Sequence, residues 1–340
     1  MRLPKGKVPP EILRKSIFRH LGAKRGEVLL GPALGEDGSV VKIGDEILIS
    51  AMDPITGSSE RIGWLAVHIN ANDVAVFGVP PAFFTSCILL PEDSTDEMVY
   101  EISKQIDVAA KSLGIAVIGG HTEATPDLDR PIIVGCAMGF AKDGRYVTSG
   151  GSRPRDKLIL TKGAGIEGTA ILASEAYHIF KDEIAGDLLD SAMNFYDKIS
   201  VVKDAILAFN TGGVTAMHDP TEGGVLGGIH EMADAANLGV RIFEDKIPIF
   251  EETLEICRFF DIDPLQLIGS GALLISADPG SAEKILRNLR DEGVNAEIIG
   301  EFLNDPKQRI LVRADGRVEN LIRPLSDHLW IALEKCQGRD

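Results

Sequence analysis

Four aspartates stand where a strand or a helix gives way to another element. Asp37 follows Glu36 in the Gly-rich turn G-P-A-L-G-E-D-G-S-V-V over residues 31–41. Asp53 ends a strand over 46–52, ahead of a turn at 54–57. Asp73 lies near the end of a helix that starts at Ile62, and Asp219 opens D-P-T-E-G-G after a strand over 214–218. Carboxylates beside turns at strand ends are where ligands usually meet a sheet. Taken singly each is weak evidence, and three of the four also have an ordinary structural explanation. Asp37 before Gly38 reads equally as a turn residue. Asp219, Pro220 and Glu222 read as N-cap, N1 and N3 of a capped helix. That explanation leaves Gly223 and Gly224 in the first helical turn, where glycine is unfavourable, without a reason.

Asp73 is the most demanding of the four. Ile62, Leu65, Ala66 and Ile69 repeat with the period of one buried helix face. At about 100° per residue, Asp73 returns to roughly 20° from Ile62. No Lys or Arg occurs from Ile62 to Ser103. A buried, unpaired carboxylate would protonate rather than stay charged. Either a basic residue arrives from elsewhere, a cation binds, or Asp73 is a partly exposed helix-end residue with Asn72 bonding locally.

Other residues carry chemistry of their own. Gly119 and Gly120 free the backbone for close approach, and His121 and Glu123 follow, both able to bind metal. A tight turn with an exposed His is the alternative. The loop K-G-A-G-I-E-G-T, with Gly163, Gly165 and Gly168, opens a helix in the manner of a phosphate cradle. It matches neither the Walker A pattern nor G-x-G-x-x-G. Lys5 and Lys7 sit in a basic, Pro- and Gly-rich start that could fold over an anion or be mobile.

The elements that must position these residues follow in order. A helix is expected over 10–21, and a strand buried on both faces over 82–90, after Gly78, Pro80 and Pro81 stop the Asp73 helix. An amphipathic helix covers 95–113, a short strand 115–118 runs into Gly119, and a second doubly buried strand covers 131–141. G-G-S-R-P-R over 150–155 reads as a linker. Strand and helix patterns then restart at 157–161 and alternate to 310–312. The 340 residues suggest two domains, 1–151 and 152–340.

Composition narrows the function. A net charge of -16 without a Lys/Arg cluster argues against nucleic acid and suits a site that collects cations. No apolar run is long enough for a membrane span, and no leader-like h-region opens the chain, so a cytoplasmic location is expected. Cys87, Cys136, Cys257 and Cys336 are widely spaced, which disfavours structural zinc and a disulfide framework. There is no G-x-S-x-G motif for a serine hydrolase.

Five pieces, G-E-D-G-S-V-V, S-A-M-D, N-D-V-A-V-F-G-V-P-P, G-G-H-T-E and H-D-P-T-E-G-G, occur in that order. In them the chain resembles the PurM-like, or AIR synthase-related, superfamily across nearly its whole length. Members include aminoimidazole ribonucleotide synthetase, thiamine-monophosphate kinase, selenophosphate synthetase and the hydrogenase-maturation carbamoyl dehydratase HypE. The resemblance implies an α+β, two-domain fold. Its N-terminal α/β domain would pair with a second subunit in an intersubunit β-barrel, making a homodimer, and its C-terminal domain would be α+β. It implies ATP and a divalent metal, Mg²⁺ or Mn²⁺, in the cleft between the domains. Asp37, Asp53, Asp73 and Asp219 match the family's metal and phosphate ligands, with Asn72 alongside. Gly119-Gly120-His121 replaces the Gly-Gly-Asp of the kinase and dehydratase members, which leaves one ligand open to substitution by Glu123.

Two departures direct the functional expectation. Cys336 lacks the terminal Pro-Arg-Ile-Cys context of the dehydratase, and no Cys precedes Cys87 to match the selenophosphate enzyme. The leading expectation is therefore metal-dependent cleavage of a phosphate ester or anhydride, with water as acceptor. Asp37, Asp53, Asp73 and Asp219 would hold metal, and His121 or Glu123 would direct the water. Lys5, Lys7, Gly119, Gly120, Gly163, Gly165 and Gly168 would contact phosphate or nucleotide. The alternatives are an ATP-binding maturation factor acting with a protein partner, and a kinase or ligase for a small metabolite.

Overall fold

The computed structural model describes residue 3 and residues 6–56, 58, 60–180 and 183–337. Lys5 lies outside the described residues. A short helix α1 (Pro10–Lys15) leads into the N-terminal sheet, built from β1 (Val28–Leu30), β2 (Ser39–Ile43), β3 (Glu46–Ile55), β4 (Pro81–Leu90), β5 (Ala116–Ala124) and β6 (Ile132–Ala141). Its strand order is β1-β2-β3-β6-β4-β5, mostly antiparallel, with β4 and β5 parallel. The crossover between those parallel strands is α3 (Asp96–Leu113), and α2 (Ile62–Ala75) connects β3 to β4.

Helix α3 follows from its sequence. Thr95 Oγ1 accepts the Met98 N–H at the start, Asp96 and Glu97 fill the first turn, and Gly114 closes the helix at φ 69°. Helix α2 differs, because almost every one of its residues is buried. One side lies on the sheet. The other presents Trp64, His68 and Asn72, spaced by four, to the C-terminal domain. The Trp64 indole N–H donates to the Tyr196 carbonyl at 2.9 Å, and Trp64 packs on His68. One apolar core therefore runs from Ile62, Leu65 and Phe77 into Ile166, Phe195 and Ile199 beyond the linker.

The C-terminal sheet contains β7 (Lys157–Thr161), β8 (Val214–His218), β9 (Gly239–Phe243), β10 (Leu274–Ala277), β11 (Ala296–Leu303), β12 (Arg309–Val312) and β13 (Val318–Asn320). They lie in the order β13-β12-β9-β11-β7-β10-β8. Helices α4 (Ile166–Glu175), α5 (Tyr177–Phe180), α6 (Gly186–Met193), α7 (Val202–Thr211), α8 (Gly224–Ala235), α9 (Glu251–Phe260), α10 (Ala282–Asp291) and α11 (His328–Gln337) complete the domain. Ile285, Leu286 and Leu289 of the strongly amphipathic α10 face the core.

Several expectations change. β6 alternates in burial and β4 is fully buried only at Pro81, Phe84, Ile88 and Leu90, instead of either having two buried faces, and Phe140 is 37% exposed. Gly119 to Glu123 form no turn. They continue β5, pairing in register with β4 from Thr85 to Leu89. The predicted helix over 10–21 ends at Lys15 and continues as a 3₁₀ turn. β3 runs past Asp53 to Ile55, with Pro54 opposite Val134.

Candidate metal and nucleotide site

Three of the four aspartates meet. Asp37, Asp73 and Asp219 each offer a carboxylate oxygen, and these oxygens lie within 4.8 Å of one another. They come from three elements: the turn before β2, the last turn of α2, and the residue after β8. Asp219 is wholly buried, and neither of its oxygens has a hydrogen-bond partner among the described residues. The helix-cap explanation for it fails, because α8 starts only at Gly224, capped by Gly223 at φ 83° with no side-chain bond.

Asp53 stands close enough to act electrostatically on Asp73 and Asp219. Asn70 fixes its backbone, accepting the Asp53 N–H at 2.8 Å and donating to the Asp53 carbonyl at 3.2 Å. Burial, the Asp37 charge and the Glu222 charge push Asp53 up to about 6 against the pull of Lys7. Burial and the neighbouring aspartates carry Asp219 up to about 7 and Asp73 well above the ordinary 3.8.

His218 anchors this cluster. Its Nδ1 lies 2.7 Å from Asp37 Oδ2 and its Nε2 lies 2.9 Å from Glu231 Oε2. Burial alone would drive its pKa down, but the flanking carboxylates hold it well above the ordinary value. Both ring nitrogens face carboxylate oxygens, an arrangement that favours the imidazolium form. The Ser149 hydroxyl adds a 3.1 Å bond to the same Asp37 oxygen, and Glu36 accepts the Ser149 and Gly150 N–H groups. The expected linker is thus pinned to the site. Lys7 arrives over the top, its Nζ 3.0 Å from Thr221 Oγ1 and 3.7 Å from Glu231, while its backbone N–H donates to Glu222.

Asp37, Asp53, Asp73, Asp219, Glu222 and Glu231 therefore share one region with two cations, Lys7 and His218. His218 already bonds Asp37 and Glu231. The unpartnered oxygens of Asp219, beside Asp73, form a hard all-oxygen donor set of the kind Mg²⁺ and Mn²⁺ take.

A cavity of about 640 Å³ adjoins the aspartates and shares Lys7, Asp53, Thr221 and Glu222 with them. It lies between the domains, with β3 and α2 on one side, α4 on the other, and α11 along its length.

Not every expected residue reaches this place. Asn72 is spent elsewhere: it donates to the Ile199 carbonyl at 2.9 Å and accepts the Val201 N–H at 2.8 Å. It clamps the domains together. Gly163, Gly165 and Gly168 do not line the cavity. Gly163 packs on Pro248 and Phe250, and Gly165 and Gly168 pack on Leu267. The Ala164 and Gly168 N–H groups go to the carbonyls of Pro248 and Ile268. The same helix start presents Glu167, a carboxylate, toward the cavity.

His121 and Glu123 are also apart from the aspartates. Asp53 faces Gly135, Gly135 faces Ser86, and Ser86 faces Gly120. Three strand spacings of about 4.8 Å place this part of β5 roughly 14 Å from Asp53. His121 and Glu123 pair with each other at 3.1 Å on an exposed edge strand. Gly119 meets open space there, and Gly120 is required because a Cβ would strike the Ser86 carbonyl.

The AIR synthase related protein N-terminal domain matches residues 35–141, and the corresponding C-terminal domain matches residues 153–313. A hydrogenase expression/formation protein of Methanocaldococcus jannaschii is 30% identical over 92% of this chain and 92% of its own length. The chain belongs to the AIR synthase-related, PurM-like superfamily. Carbamoyl dehydratase HypE of Rhizobium leguminosarum is 28% identical over 79% of this chain and 75% of its own length. Two solved structures share the PurM-like fold. HypE in a HypE–HypF complex superposes with a TM-score of 0.75 at 22% identity, covering 92% of this chain and 99% of that one. HypE in complex with ATP gives 0.71 at 22% identity, covering 95% and 96%.

These relatives overturn the phosphohydrolase expectation. They are hydrogenase-maturation proteins, similar to this PurM-like chain along most of its length. Geometry agrees, since the residues expected to direct a water, His121 and Glu123, lie across the sheet from the aspartates. The inference failed because it took an unfamiliar acceptor context around Cys336 as evidence for water.

His218, Glu231, Ser149, Asn70 and Glu167 escaped the sequence reading. His218 had a visible signal, its place beside Asp219 in H-D-P-T-E-G-G. Glu231 and Glu167 each place an acid on a largely buried helix, a signal legible only once those faces are known to be buried.

Proposed function

We propose that this chain is a HypE-like, ATP-using maturation enzyme that works with a protein partner. The observation that carries the reading is Asp219, buried with two unpartnered oxygens beside Asp37 and Asp73, in a chain similar to hydrogenase-maturation proteins. In this reading Asp37, Asp73 and Asp219 hold Mg²⁺ or Mn²⁺, with Asp53 close by. The metal, when bound, neutralises phosphate oxygens of the nucleotide. Lys7 approaches the same phosphates from above, where it now meets Thr221 and Glu231. His218 and Ser149 keep Asp37 in one orientation throughout.

The relatives supply the chemistry to be tested. A carbamoyl dehydratase removes the elements of water from a carbamoyl group, and ATP can turn that oxygen into a phosphate leaving group. A protein partner would bring the carbamoyl group, as the HypE–HypF complex suggests. The half-covered faces of β4 and β6 and the wholly exposed β5 support a homodimer in which a second copy completes a barrel.

Calorimetry with ATP and Mn²⁺ tests the reading. Binding is expected for the wild type and lost in Asp73→Asn, with little ATP turnover until a HypF-like partner is added. Equal ATP binding by wild type and Asp73→Asn, or rapid multiple turnover without a partner, would reject it.

A further inference from the structure

Gly223 and Gly224 end the turn that carries Thr221 and Glu222, the two residues that hold Lys7. Both glycines have positive φ, 83° and 61°, so two left-handed residues stand in succession ahead of α8. A Cβ at Gly224 would come within 2.6 and 2.7 Å of the Leu267 and Leu265 carbonyl oxygens. The turn rests on that same segment, where the Gly269 N–H donates to the Thr221 carbonyl at 3.4 Å. Such a backbone persists only where its surroundings impose it.

An acid from far along the chain supplies part of that support. Asp327, 104 residues beyond Gly223, is 4% exposed. Its Oδ2 accepts the Gly223 N–H at 2.6 Å. Its Oδ1 accepts the Ile268 N–H at 3.2 Å and the Leu329 N–H at 2.7 Å. The Leu329 bond caps the start of α11. The other two tie the turn at 221–223 to the segment beneath it. Pro324 lies over Gly223, and Arg323 pairs with Asp234 on α8, so 323–327 runs beside that helix. A cap needs one bond, and Asp327 makes three. A carboxylate suits this, because both of its oxygens accept. Asparagine would turn an amide N–H toward one of the three donors.

We propose that Asp327 is a positioning residue of the nucleotide site. It is not among the residues that line the cavity. It fixes the turn at 221–223, that turn holds Lys7, and Lys7 meets the phosphates. The role rests on the nucleotide reading in its last step alone; the grip of Asp327 on the turn stands without it.

Asp327→Ser keeps a cap for α11 and removes both long-range bonds. Calorimetry on the full chain measures ATP in the presence of Mn²⁺, and Mn²⁺ alone. Asp327→Ser is expected to weaken ATP about tenfold, the scale of one charge-assisted hydrogen bond, and to leave Mn²⁺ affinity within about twofold. Lys7→Ala is expected to weaken ATP by a similar factor. The double variant is expected to lose no more than Lys7→Ala, as two residues acting through one contact do. Hydrogen exchange at the Gly223 amide is expected to quicken in Asp327→Ser, with or without nucleotide. Should that variant not fold by circular dichroism, Asp327→Asn replaces it with the same expectations. Additive losses, wild-type ATP affinity in Asp327→Ser, or equal loss of ATP and Mn²⁺ would overturn the proposal. Faster exchange at Gly223 in a protein whose wild type binds no ATP would sink the nucleotide reading, and the positioning role with it.

Discussion

At the scale of single residues, the site is a set of carboxylates held closer than their charges permit. Asp53 and Asp219 are pushed up to about 6 and about 7, first by burial and then by their acidic neighbours, and Asp73 too is raised well above the ordinary value. In the metal-free chain the folded state therefore keeps protons that the unfolded state has released above the ordinary 3.8. Stability contributed by these groups is present at low pH and lost as pH rises from about 4 to about 7. Mn²⁺ reverses this, because it binds the ionised cluster. The increase in Tm on adding Mn²⁺ is expected to be larger at pH 8 than at pH 5, and equal increases would count against a metal role. At a concentration one hundred times its Kd the ion contributes about 2.7 kcal/mol. Asp219→Asn separates the two effects. With chelator at pH 8 it is expected to raise stability by an amount on the order of a few kcal/mol, since each pKa unit is worth about 1.4 kcal/mol. With Mn²⁺ it is expected to gain nothing. Differential scanning fluorimetry over pH and metal measures both.

At the scale of elements, α2 carries two duties on adjoining stripes, about 100° apart around the helix. Leu65, Ile69 and Asp73 face the cavity and the aspartates, while Trp64 and Asn72 clamp the segment before α7. Asn72→Ala leaves the Val201 N–H and the Ile199 carbonyl buried without their partner. A loss of about 1–3 kcal/mol in urea unfolding is expected. A variant of wild-type stability that lost only nucleotide affinity would instead return Asn72 to the ligand set. β3 and β6 show how a glycine serves a site it never touches. A Cβ at Gly135 would strike the Asn70 side chain, which holds the Asp53 backbone. Gly135→Ala is expected to lower Mn²⁺ affinity roughly tenfold, the scale seen for groups that orient metal ligands. Unchanged affinity would show that Asp53 needs no such support.

At the scale of the whole molecule, the exposed strand is the telling feature. All nine residues of β5 are exposed, Val117 and Ile118 to 50% and 58%. An uncovered apolar edge invites pairing with another chain. Light scattering is expected to give a dimer, and Val117→Lys with Ile118→Lys to give a monomer. A monomeric wild type would remove the homodimer from the reading. Much of this protein was legible in the sequence. The period of α2, the amphipathic pattern of α3 and five ordered motifs sufficed for the two-domain fold and for three aspartates that meet. These are local signals, set by neighbours a few residues apart or by motifs read in order. The remainder was decided by pairing over long distances. β6 and β4 separate β3 from β5, which takes His121 and Glu123 away from Asp53. Contact between the domains turns Asn72 into a clamp, and α11 folds back beside α4 to enclose Glu167. A residue's type announces the chemistry it can do, but its partners depend on segments far along the chain, and only the packed molecule brings those together.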